Sequence, residues 1–120
     1  MKRILVIDDD TALLELIQRW LVSADYETIV ATNGKVGLEC HRKTPVDLII
    51  TDIYLPDRNG TGLLMEIRDE FPQTKVMVMS GGGGLGGVDY LEFARLLGAT
   101  KVFKKPFARQ EFMNVVQSVV

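Results

Sequence analysis

Short β-branched apolar runs alternate with amphipathic stretches along the whole of this chain, and few architectures satisfy such an alternation. Ile4-Leu5-Val6-Ile7 is the first run, of the kind buried on both faces of a parallel sheet. Leu13, Ile17 and Leu21 then recur at helical spacing, with Asp10 or Thr11 placed to cap the start. Tyr26 to Ala31 reads as a second strand closed by the turn pair Asn33-Gly34, and Val36 to Arg42 as a short helix stopped before Pro45. Val46 to Ile50 is the third and most apolar strand, and Leu63, Leu64, Ile67 and Phe71 mark a helix ended by Pro72. Lys75 to Met79 and Val102-Phe103 complete the strands. Tyr90 to Leu97, stopped by Gly98, and Phe107 to Val119 complete the helices.

Strand signals that are each followed by a helix signal require a parallel sheet covered on both faces. The expected fold is therefore a doubly wound α/β unit, (βα)5, with helices on both faces of a five-stranded sheet. No composition shift, repeat or linker divides residues 1–120, and one domain runs to about 100–150 residues, so a single domain is expected. Hydrophobic residues make up 47% and charged residues 25%, which excludes wholesale disorder. The net charge of −2 offers no footprint for nucleic acid or an anionic membrane. Cys40 and His41 are each the single residue of their type, too few for a disulfide or a His-rich metal site. No run has the about 18 apolar residues of a membrane span, and no signal peptide is seen. The expected location is the cytoplasm.

In open parallel sheets, sites form outside the carboxyl ends of the strands. The first strand runs into Asp8-Asp9-Asp10, the third into Asp52, the fourth into Ser80 and the fifth into Lys104-Lys105-Pro106. If these strands are neighbours, several carboxylates, a hydroxyl and an ammonium converge. Such carboxylates repel unless a cation sits among them, and hard oxygen ligands open to water favour Mg²⁺, with Mn²⁺ as a substitute. An ammonium and a hydroxyl are what a transferring phosphoryl group needs around its oxygens. An ionised Asp is a known covalent nucleophile. The chemistry that fits is formation and hydrolysis of an aspartyl phosphate.

The set Ile7-Asp8-Asp9, Asp52 followed by Pro56 and Gly60, Ser80-Gly81 and Lys105-Pro106-Phe107 resembles the receiver domain of two-component response regulators. The resemblance covers the whole chain. It implies a flavodoxin-like sheet of order 2-1-3-4-5, phosphorylated on Asp by a sensor histidine kinase or histidine phosphotransfer protein. It also implies that Asp52 is the phosphoacceptor and that Asp8, Asp9, Asp52 and the Tyr54 backbone carbonyl serve Mg²⁺, Asp8 through water. Lys105 and Ser80 would bind the phosphoryl oxygens, and the Lys105-Pro106 bond would be cis, an isomer accessible before proline. On this reading the chain is a switch rather than an enzyme, catalysing only its own phosphorylation and dephosphorylation. Phosphorylation would change contacts with a downstream protein or a second copy through the fourth helix, fifth strand and last helix.

Other readings attach to several of these residues. Asp10 reads as a helix cap rather than a ligand. Cys40 reads as a small buried or half-buried residue, Trp20 as core edge, and His41 as a surface histidine. The run Gly81-Gly82-Gly83-Gly84-Leu85-Gly86 satisfies G-x-G-x-x-G between a strand and a helix, so a nucleotide-binding module is an alternative. Against it, the fingerprint belongs to the first strand–helix turn, and Lys101 stands about 20 residues on, where an acid should be. The run is better read as backbone freedom beside Ser80. A non-phosphorylated pseudo-receiver is a third reading.

Two departures from the family pattern stand out. The position three residues before the lysine, usually aromatic, is Val102, with Phe103 beside it. The positions that tune phosphoryl lifetime are Tyr54 and Gly82, neither an acid nor an amide. The receiver pattern takes up all 120 residues, so no output domain is expected within them.

Overall fold

The computed structural model describes residues 1–57, 60–81, 94–95 and 97–120. In chain order the elements are β1 (Arg3–Ile7), α1 (Thr11–Ser23), β2 (Glu27–Ala31), α2 (Gly34–Lys43), β3 (Leu48–Asp52), α3 (Gly60–Glu70), β4 (Lys75–Ser80), β5 (Lys101–Lys104) and α4 (Arg109–Val119). The expectations placed on the glycine run from Gly82 to Gly86 and on the start of a helix at Tyr90 lie outside the described residues.

All five strands are parallel in one sheet of order β2-β1-β3-β4-β5, as the resemblance implied. Period-two alternation decides which helix each side chain meets. Ile4, Val6, Leu48, Ile50, Met77 and Met79 join Leu14, Ile17, Leu21, Phe112 and Val116 on the side of α1 and α4. Leu5, Ile7, Ile49, Val76 and Val78 join Leu38, Leu63, Leu64 and Ile67 on the side of α2 and α3. The sheet thus separates two apolar cores, and this is why β1 and β3 read as unbroken apolar runs: both of their faces are buried. Trp20 packs at the edge of the first core, 5.7 Å from Phe112 between ring centroids. Phe103 packs into the same aromatic cluster, 5.1 Å from Phe107, while Val102 faces the second core.

Helix starts follow capping chemistry. Asp10 Oδ1 accepts from Leu13 N at 3.1 Å, so Asp10 is the cap of α1. Asn33 Oδ1 accepts from Val36 N at 2.9 Å, which starts α2 two residues earlier than the Val36 expected from periodicity. The third strand begins at Leu48 and ends at Asp52, not at Val46 and Ile50. Val46 N–H is taken instead by His41 Nδ1 at 3.0 Å, and the Asp47 carboxylate accepts from Arg3 N at 2.8 Å. The last helix starts at Arg109 rather than Phe107, whose ring is held in the aromatic cluster. His41 is 1% exposed, which corrects the surface reading.

Candidate functional site

Asp8 follows β1 and Asp52 closes β3, and these strands are neighbours, with Ile7 opposite Thr51. The alternation that sends Ile4, Val6, Leu48 and Ile50 to the α1 and α4 side carries on to Asp8 and Asp52. The same parity on β5 takes Phe103 to that side and, two residues later, Lys105. The three charged side chains meet there. Lys105 Nζ donates to Asp8 Oδ2 at 2.8 Å and to Asp52 Oδ2 at 3.0 Å. Asp8 is fully buried and Asp52 7% exposed.

Backbone contacts fix each member. Asp8 N–H donates to the Ala31 carbonyl at 3.1 Å, and Asp8 Oδ1 accepts from Asp10 N at 3.0 Å. Tyr54 N–H donates to Asp52 Oδ1 at 3.2 Å, and Ile53 N–H to the Met79 carbonyl at 2.9 Å. Lys105 N–H donates to the Ser80 carbonyl at 2.7 Å, which ties the end of β4 to the lysine. Ser80 itself is fully buried, and the Lys105-Pro106 bond is cis.

Electrostatics follow from burial against pairing. Burial pushes the Asp8 carboxyl above its usual 3.8, although the Lys105 ammonium and the Asp10 N–H pull the other way. Burial alone would lower Lys105, but its bonds to two carboxylates outweigh that and hold it above its usual 10.5. One oxygen from each of Asp8, Asp9 and Asp52 lies within 4.8 Å of the others. Three carboxylates against one ammonium leave an excess of two negative charges in a partly buried space. Hard oxygen donors at that spacing, with Asp9 on the exposed side, suit one small divalent cation that keeps several waters.

An apolar cavity of about 280 Å³ opens beside Lys105, lined by Leu13, Leu16, Trp20, Lys105, Pro106 and Phe107. On the opposite flank Asp57 accepts from Gly34 N at 3.0 Å and from Lys35 N at 2.9 Å. Sequence reasoning missed Asp57. Its partners lie more than twenty residues away in the chain, and only the loop's position over α2 brings them together.

Comparison with known proteins agrees with this fold. Residues 4–117 match the family model described as the response regulator receiver domain. The chain is similar to the probable transcriptional regulator ycf27 of Porphyra purpurea, at 29% identity over 99% of this chain and 47% of the relative. It is likewise similar to the cell cycle response regulator CtrA of Brucella ovis, at 26% identity over 98% of this chain and 50% of the relative. The chain therefore spans about half the length of the curated relatives it matches. Among solved structures it resembles a CheY-like receiver domain protein from Methanospirillum hungatei, with a TM-score of 0.89 and 30% identity, covering 98% of this chain and 92% of that one. Fold and family model coincide, and the chain belongs to the response regulator receiver domain family of two-component signalling.

Proposed function

We propose that this receiver takes a phosphoryl group from a phosphohistidine onto Asp52, with Mg²⁺ bound, and returns it to water. The observation that carries the reading is the Lys105 ammonium bridging Asp8 and Asp52 at the strand ends. In the transfer, an Asp52 carboxylate oxygen attacks phosphorus as the P–N bond to the donor imidazole breaks, and the imidazole leaves with the bonding pair. In the return step water attacks phosphorus, its proton is lost to solvent, and the Asp52 carboxylate leaves as inorganic phosphate forms.

Asp8, Asp9, Asp52 and the Tyr54 carbonyl would hold Mg²⁺, which supplies positive charge beside the phosphoryl oxygens. Lys105 sits 3.0 Å from the acceptor oxygen, within reach of an incoming phosphoryl oxygen, and Ser80 would donate its hydroxyl from the end of β4. The apolar cavity that Lys105 helps to line offers a protein donor a surface beside the lysine, which supports a histidine kinase or phosphotransfer protein as partner. Downstream signalling would pass through contacts with another protein or a second copy.

The test is incubation of the chain with acetyl phosphate and Mg²⁺, read by intact mass. One phosphate adduct is expected, absent in Asp52→Asn and absent when Mg²⁺ is chelated. An adduct that survives in Asp52→Asn overturns the assignment.

A further inference from the structure

We infer that Asp57 is a positioning residue for the metal-binding loop, an inference that rests on the reading of Asp8, Asp9, Asp52 and Tyr54 given above. The loop after β3 has a demanding task under that reading. It must hold the Tyr54 carbonyl and the Asp52 carboxylate in fixed relation to carboxylates that belong to another strand. Its near end is pinned to β4 by the bond from Ile53 N–H to the Met79 carbonyl, 2.9 Å long. Its far end is pinned by Asp57, whose two oxygens take Gly34 N–H at 3.0 Å and Lys35 N–H at 2.9 Å. Tyr54 lies between the two anchors.

The second anchor reaches the other half of the site. Gly37 of α2 packs so closely on Ile7 that a Cβ there would fall within that side chain. Ile7 is fully buried and directly precedes Asp8. Asp57 thus refers the loop to α2, and α2 is referred to the strand that presents Asp8 and Asp9. A carboxylate at a helix N-terminus is held by charge-assisted bonds and by the helix dipole, which suits it to the role.

Asn33 and Asp57 serve different N–H groups of the same helix start: Asn33 takes Val36 N–H at 2.9 Å, whereas Asp57 takes those of Gly34 and Lys35. That separates two contributions experimentally. Mg²⁺ is titrated calorimetrically into the full chain, and the melting temperature is measured beside it. Asp57→Ala is expected to weaken Mg²⁺ about tenfold, as loss of an outer support of a metal site does, and Asp57→Asn, which keeps one acceptor oxygen, to fall in between. Asn33→Ala removes the cap of the same helix and is expected to lower the melting temperature by about 5 °C. Its Mg²⁺ affinity is expected to stay within about twofold of the parent, since the loop anchor is intact. The inference is overturned if Asp57→Ala and Asp57→Asn both bind Mg²⁺ like the parent, or if Asn33→Ala weakens Mg²⁺ as much as Asp57→Ala does. A parent chain that binds no Mg²⁺ overturns the site reading itself, and this inference falls with it.

Discussion

His41 uses both ring nitrogens away from the acidic site. Nδ1 accepts from Val46 N at 3.0 Å, so the proton sits on Nε2, which faces Thr74 Oγ1 at 3.0 Å. Its ring meets Phe71 edge-on with centroids 4.3 Å apart. Burial holds its pKa below the usual 6.5, against the pull of Glu70 toward the charged form. The native state therefore binds fewer protons than the unfolded chain, and stability rises with pH through the window below 6.5 and levels above it. In His41→Gln that portion of the slope is expected to vanish, so urea midpoints of the two proteins converge as the pH falls from 7.5 toward 5. Parallel midpoint curves across that range contradict the assignment. What could be read from the sequence at this scale divides along the same line. Asp8, Asp9, Asp52, Ser80 and Lys105 were legible because strand ends and topology place them. Asp57 and the contact of His41 with Thr74 were not, because those partners come from segments distant in the chain.

At the level of elements, periodicity located every described strand and helix, and boundaries moved wherever a side chain captured a backbone N–H. The shift of β3 by two residues follows from His41 and Asp47, and the earlier start of α2 from Asn33. The contact of α2 on β1 was also hidden, since a glycine inside a helical pattern signals weak propensity rather than close packing. Gly37→Ala should gain helix propensity yet lose stability by about 1–2 kcal/mol net, because the added Cβ would overlap the fully buried Ile7 side chain. Thermal denaturation of Gly37→Ala, Ile7→Val and the double variant checks this. Ile7→Val should recover part of the loss in the double variant, and additive effects would show that the two side chains do not compete.

Across the whole molecule, one sheet divides two apolar cores, and the charged site stands at its carboxyl edge. No helix among the described residues is long and apolar enough to cross a membrane. The protection of the site's parts is uneven. Asp8 and Asp52 extend β1 and β3, whose residues are buried almost throughout, whereas Lys105 extends β5, an edge strand exposed at Lys101 and Lys104. Amide exchange is expected to show β5 opening at a lower free energy than β1 and β3, and equal protection of all three would contradict this. The anions are thus built into strands buried almost throughout, and the ammonium that faces two of them into an exposed edge strand. On that expectation, a brief release of the edge strand would withdraw the ammonium from Asp8 and Asp52 while the strands that carry them stay paired.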